Sequence, residues 1–220
     1  MPLLCSAKHF TMEDKNYIQD LREIRSMMRR SSQFLSFSGL SGVLAGVYAL
    51  VGAYFAHRIL STHYIHYRYV IVESPTFRAL MYIALIVLVA SLLTAGFFSY
   101  QKAKRRGERL VSSTSKRAVY NFALPLLTGG ALSLLLINAG YYGLIAPMTL
   151  IFYGLACVNV SKYTFGDVHY LGITEIVLGL LSVYFAGYGL EFWVVGFGVC
   201  HILYGLVMYF KYERSEERNQ

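Results

Sequence analysis

The chain has 220 residues, of which 56% are hydrophobic and 15% charged, with a net charge of +8. A soluble domain needs about a quarter of its residues charged to solvate its surface, so most of this chain faces something other than water. Four Pro, 19 Gly without a short period and three Cys exclude collagen-like, low-complexity and disulfide-stapled secreted classes.

Residues 1–36 are polar and basic. Met1-Pro2-Leu3-Leu4-Cys5 has neither a basic start nor an adequate apolar stretch, so no cleavable signal is expected. From Thr11 to Arg30 the pattern is helical, with Ile18, Leu21, Ile24 and Met28 on one side and Arg22, Arg25 and Arg29 on another. Thr11 and Asp14 suit its N-terminal cap. Such a helix either lies in the membrane interface, leads into the first span, or offers a face to a partner.

Six membrane spans are expected within residues 37–212, each of roughly 20 mostly apolar residues. They fall at about 37–58, 78–101, 118–139, 143–162, 170–187 and 190–211, leaving 213–220 as a tail. The stretch Ala118 to Ser161 has no charge and is too long for one span; it divides at Asn138-Ala139-Gly140-Tyr141-Tyr142-Gly143, with Pro147 just inside the next helix. Gly187-Tyr188-Gly189 divides the last apolar region in the same way. The fold class expected is all-α, a polytopic bundle of three helical hairpins.

Between spans one and two lie His63, His66, Arg68 and Glu73 among Tyr64, Tyr67 and Tyr69. His63 and His66 are weak candidates for a metal or pH-sensing pair, because the alternation around them looks extended and not helical. The bland alternative is a loop lying on the outer leaflet. Basic residues decide orientation: seventeen Lys and Arg flank one side of the six spans and only Arg58, Arg68 and Arg78 the other. Both termini are therefore expected in the cytoplasm. The positive charge serves topology and anionic lipid, and no nucleic-acid partner is expected, since charge is unaccompanied by any base-reading motif. The bilayer is the expected partner, with a second copy or another membrane protein left open.

The last two hairpins look like a parallel repeat. Gly130-Ala131-Leu132-Ser133 matches Gly179-Leu180-Leu181-Ser182, and Ala139-Gly140-Tyr141-Tyr142-Gly143-Leu144 matches Ala186-Gly187-Tyr188-Gly189-Leu190. Tyr153-Gly154-Leu155 matches Tyr204-Gly205-Leu206, and Lys162-Tyr163 matches Lys211-Tyr212. With Ile176-Val177-Leu178-Gly179-Leu180-Leu181 and Gly196-Phe197-Gly198, these patterns over residues 120–212 resemble the HdeD-type acid-resistance membrane proteins of bacteria, and other bacterial six-span inner-membrane proteins without an assigned mechanism. The glycine-rich first span and the charged first 36 residues depart from that pattern. The resemblance implies a bacterial inner-membrane location and a link to stress; it implies no catalytic residue.

Small residues let membrane helices approach closely. Gly42, Gly46, Ala49 and Ala53 form a stripe on span one; Gly172, Glu175, Gly179, Ser182 and Ala186 one on span five; Gly198, His201, Gly205 and Met208 one on span six. These stripes place the ionisable Glu175 and His201 at helix contacts and away from lipid. Embedded ionisable groups mark candidate functional sites. The expected cluster is Glu175, Asn159, Lys162 and Tyr204 with His201 above it, Glu175 lying roughly 7 Å inside the inner boundary at 1.5 Å per residue. In the plainer reading these groups satisfy one another and fix helix register. In the sharper one they form a proton or ion pathway. No metal or cofactor is expected, Cys5, Cys157 and Cys200 have no paired spacing, and no catalytic motif occurs. The leading functional expectation is a non-enzymatic membrane module with a stress-associated, scaffolding or signalling role. A small transporter or channel built on the cluster is the alternative, and an intramembrane enzyme acting on lipid the third.

Overall fold

The computed structural model describes residues 39–63, 74–106 and 112–213. The expected N-terminal helix, His66 and the side chain of His63 lie outside the described residues. Six helices are long and apolar enough to cross a membrane. They are α1 (Gly39–His63), α2 (Ser74–Arg106), α3 (Ser113–Asn138), α4 (Ile145–Val160, with 3-10 turns Tyr142–Leu144 and Ser161–Tyr163 at its ends), α5 (Asp167–Tyr184) and α6. The last runs over residues 189–213 and is mixed: α-helical at Gly189–Trp193 and His201–Met208, π-helical at Val194–Cys200 and Tyr209–Glu213. The architecture is an all-helical, multi-pass membrane bundle.

Several helices run past the apolar stretches that announce them. α2 continues through Lys102, Lys104, Arg105 and Arg106, because Lys and Arg are good helix formers whose stems lie along apolar surface while their charges reach water. α3 starts at Ser113, five residues before its uncharged run, because the Ser112 hydroxyl accepts from the Ser115 amide at 3.0 Å and caps the exposed first turn. α5 occupies 167–184, three residues earlier at each end than hydropathy suggests.

The turn after α3 is a Schellman motif. The amides of Gly140 and Tyr141 donate to the carbonyls of Ile137 (3.0 Å) and Leu136 (2.9 Å), and Gly140 takes φ +83°. Gly187, in the corresponding turn after α5, has φ +100°. No other described residue adopts a positive φ, so the chain spends left-handed glycine on its two tight hairpin turns.

Neighbouring helices run antiparallel. α1 packs on α2, helped by a Tyr48–Thr94 hydroxyl contact of 3.3 Å, and α3 packs on α4. Two glycine seams join the hairpins. At the first, α4 and α5 make the most extensive contact in the bundle. A Cβ added to Gly154 would lie 2.6 Å from the Gly172 carbonyl oxygen, and one added to Gly172 would lie 2.7 Å from that of Gly154. At the second, α1 meets α6: a Cβ on Gly46 would fall 2.7 Å from the Gly198 carbonyl oxygen, and one on Gly42 3.3 Å from Gly205 Cα. α2, on the far side of α1, contributes an apolar window with no buried residue. This alternation gathers Lys102, Lys104, Arg105, Arg106, Lys116, Arg117, Lys162 and Lys211 at one end, called the basic end below, where Lys211 Nζ also donates to both Asp167 oxygens at 2.9 Å.

The matched glycines of the suggested repeat differ in surroundings. Gly179 packs against Ile151 and the Pro147 carbonyl, whereas nothing lies within 4 Å of a Cβ placed on Gly130; its neighbour Gly129 instead faces Phe152. These contrasts give a stability test. Gly154→Ala forces two backbones apart and is expected to destabilise by about 1–3 kcal/mol, the usual cost of overpacking. Gly130→Ala gains helix propensity in open space and is expected to be neutral or to stabilise by up to about 1 kcal/mol. Reversible unfolding in mixed micelles measures both, and equal effects would contradict the seam.

Candidate functional site

Three side chains from three helices meet inside the bundle: Tyr153 of α4, Glu175 of α5 and His201 of α6. Each lies at the middle of its span. Tyr153 is eleven and ten residues from the ends of Tyr142–Tyr163, Glu175 eight and nine from those of Asp167–Tyr184, and His201 twelve and ten from those of Gly189–Lys211. At 1.5 Å per residue Glu175 is about 12 Å from the start of its helix, deeper than the roughly 7 Å expected from the hydropathy boundary. His201 stands at its level and not above it.

Glu175 is fully buried and His201 is 7% exposed. His201 Nδ1 lies 3.1 Å from the Gly196 carbonyl oxygen, which can only accept, so Nδ1 carries a proton. In the neutral ring that leaves Nε2 as the acceptor, and the Tyr153 hydroxyl lies 2.7 Å from it. Glu175 Oε1 is 3.5 Å from Nδ1, within ion-pair range but beyond a good hydrogen bond. Among the described residues neither carboxyl oxygen of Glu175 has a hydrogen-bond partner. The imidazole is thus held on both nitrogens while the carboxyl beside it is held on neither oxygen.

Local backbone chemistry makes this geometry. Gly196 and His201 are five residues apart, too far for one face of an α-helix, but the π-helical stretch Val194–Cys200 widens the turn and stacks them. Gly196 also provides the space for the carboxyl: a Cβ there would run into Glu175 Oε2 and lie 2.6 Å from Leu150 Cδ2. Rings wall the site. Tyr153 contacts Phe197 at 5.0 Å between centroids and Phe122 edge-on at 6.1 Å, while Phe197 stacks on His201 at 5.7 Å and meets Trp193 at 4.9 Å.

Of the other residues singled out by sequence, Tyr204 packs, as Tyr153 does, against the apolar cluster of Ala118, Cys157, Val160, Phe165, Val168 and Met208, three residues along α6 from His201 toward the basic end. Lys162 is exposed in the turn after α4, and Asn159 is half-buried one residue before the helix ends. None of the three donates to the Glu175 carboxyl. Among the glycines expected at contacts, Gly42, Gly46, Gly198 and Gly205 line the α1/α6 seam and Gly179 faces α4. Tyr153 and Gly196 are the members that spacing did not single out. The Tyr-Gly-Leu match between residues 153–155 and 204–206 was the available signal for Tyr153. Gly196 had none, because its role depends on the π register.

No family model, curated protein or solved structure matches the chain.

The fit between Gly196 and Glu175 can be tested by a double-mutant cycle. Gly196→Ala alone is expected to destabilise by about 1–3 kcal/mol through overpacking. In the Glu175→Ala background the carboxyl is gone and most of that cost should disappear, giving a coupling of about 1 kcal/mol or more between the two positions. Additive effects in an unfolding assay would show that the two groups do not compete for one space.

Proposed function

We propose that the protein is a small proton-translocating membrane transporter in which Glu175 carries the proton and His201 with Tyr153 forms its relay. The observation that carries this reading is the mid-span carboxyl with two unpartnered oxygens beside an imidazole whose hydrogen bonds are complete. A cluster kept only to fix helix register satisfies its buried polar atoms. An ionised carboxyl without partners in such surroundings costs several kcal/mol, so Glu175 either holds a proton here or gains partners in another arrangement. A group that alternates between those conditions is a proton carrier. The relay needs little movement: as a proton arrives on the Tyr153 hydroxyl, that hydroxyl passes its own proton to Nε2, and Nδ1–H turns from the Gly196 carbonyl to Oε1 and gives its proton to a Glu175 carboxylate, leaving a neutral phenol and a neutral ring protonated at Nε2.

The second reading, a packing or signalling module without transport, draws on the glycine seams α4/α5 and α1/α6, which are contacts of a rigid frame. The seams and the carrier are compatible, since a relay of three helices requires a frame that holds them in register. We further propose that both termini face the cytoplasm, from the seventeen-to-three distribution of Lys and Arg, and that the membrane is a bacterial inner membrane, from the family resemblance.

Purified protein in proteoliposomes loaded with a pH-sensitive dye, with a valinomycin-clamped potassium gradient as driving force, is expected to take up protons faster than empty vesicles. Glu175→Gln should return the rate to background, and Tyr153→Phe should slow it by about tenfold or more, as loss of a positioned proton donor does. Undiminished flux in Glu175→Gln, or no flux above background in the unaltered protein, would defeat the reading.

A further inference from the structure

A cation arises partway along the relay. Once the Tyr153 hydroxyl has given its proton to Nε2, and before Nδ1–H has reached Oε1, both nitrogens of His201 are protonated and the ring carries a full positive charge. A charge buried at mid-span is costly unless something other than water supports it. The Glu175 carboxylate, 3.5 Å from Nδ1, supports the edge of the ring until it takes the proton. The face of the ring lies against other aromatic side chains.

Tyr153, Phe197 and His201 meet in a triangle, with ring centroids 5.0 Å apart between Tyr153 and Phe197, 5.2 Å between Tyr153 and His201, and 5.7 Å between Phe197 and His201. The two contacts to the imidazole differ in kind. Tyr153 is tilted by 39° and binds Nε2 through its hydroxyl, whereas Phe197 is stacked on the imidazole with 27° between the planes. Phe197 has no polar atom in its side chain, so what it offers the imidazole is its π face. That face is the negative side of the ring, and a cation within about 6 Å of the centroid is drawn to it, most strongly where water is excluded. A neutral imidazole gains much less, so the contact favours the charged ring over the neutral one. The backbone fixes this arrangement. Phe197 follows Gly196 within the π-helical Val194–Cys200, so one short stretch sets both the carbonyl on the ring edge and the aromatic ring on its face. Trp193, Phe197 and His201 follow one another at intervals of four, and Trp193 packs on Phe197 at 4.9 Å. The titratable groups around the imidazole are Glu175 on α5, Tyr153 and Cys157 on α4, and Cys200 and Tyr204 on α6, while α1 presents Gly42, Gly46 and Leu50 to this part of α6. Of these, Glu175 is the one carboxyl.

From this geometry, and resting on the proton-carrier reading, we infer that Phe197 is a positioning residue of the relay, its face stabilising the imidazolium of His201 while a proton passes from Tyr153 to Glu175. The O–H bond of Tyr153 breaks as Nε2–H forms, and the hydroxyl takes up the arriving proton in its place. The Nδ1–H bond then breaks as Oε1–H forms on the carboxylate. Phe197 makes and breaks no bond. The ring is cationic between the two transfers and neutral before and after them, so a group that favours only the cation speeds the transfer without altering its end states.

Fluorination tests the face, because fluorine withdraws electron density from it and leaves the ring nearly the same size. Replacing Phe197 in the full-length protein by mono-, di- and trifluorinated phenylalanine is expected to lower proton flux in proteoliposomes stepwise, by about tenfold across the series. Phe197→Leu should lower it at least as far. Unfolding in mixed micelles should stay constant through the fluorinated series, since only the charge distribution of the ring differs. A second readout does not depend on transport. In protein with isotope-labelled histidine ring nitrogens, the signals of His201 are those lost in His201→Gln, and magnetic resonance counts the share of that ring protonated on both nitrogens. At one fixed acidic pH this share should fall along the same series. A share that stays level overturns the inference whatever the flux, and so does level flux across the series in a protein that transports. Absent flux in the unaltered protein together with a falling share strikes at transport and leaves the role of Phe197 standing.

Discussion

A carboxyl group at mid-span, in a space that exists only because position 196 is glycine, is the constraint around which this bundle is arranged. Glu175 Oε2 occupies the volume a Cβ on Gly196 would need. The same residue's carbonyl accepts from His201 Nδ1. One glycine thus admits the acid and orients the base. Lipid gives no hydrophobic drive for helices to associate, so a polar group so placed has to be retained by close backbone packing around it.

The glycine seams supply that packing on both sides of the site. The α4/α5 seam, with Gly154 and Gly172 in mutual contact, fixes Tyr153 and Glu175 on facing helices. The α1/α6 seam, with Gly42 and Gly46 set against Gly205 and Gly198, holds α6 from behind. His201 lies between Gly198 and Gly205 on α6, so a shift of that helix by a fraction of a turn would carry the imidazole away from the carboxyl. α2 and α3 stand outside this arrangement. Each packs principally on the helix of its own hairpin, and α2 contributes an apolar window with no buried residue.

Hydropathy and tight-turn residues made the six spans and their hairpin pairing legible, with boundaries displaced by a few residues, as where capping or long basic side chains extend a helix at Ser112 and Arg106 and where α5 lies three residues early at each end. The juxtaposition of Glu175 and His201 was legible too, since both occur within glycine stripes at spacings of three and four. Their true neighbours were not. Periodicity of 3.6 assigns Gly196 to another face than His201, and only a π turn brings them together. Tyr153 lies among apolar residues and reads as one more large ring in a span. The inner-boundary groups Asn159 and Lys162 drew attention because they are polar, yet depth along a helix and not polarity decides which groups meet. The 3-10 turn and the exposure of Lys162 keep that charge at the rim.

The division of hydrogen bonding within the site sets Glu175 apart from the groups around it. Tyr153, His201 and the Gly196 carbonyl form a completed chain, which costs little to keep buried. Glu175 stands 3.5 Å from that chain and is joined to it by no hydrogen bond. If all four groups were bonded, the site would be a register pin whose proton has no reason to move. If none were, the imidazole would be free to rotate and its distance to the carboxyl would not be fixed. With only the imidazole secured, the uncertainty is confined to one gap, between Nδ1–H and Oε1, and a change in the protonation of Glu175 is felt there before it is felt by the packing of the helices.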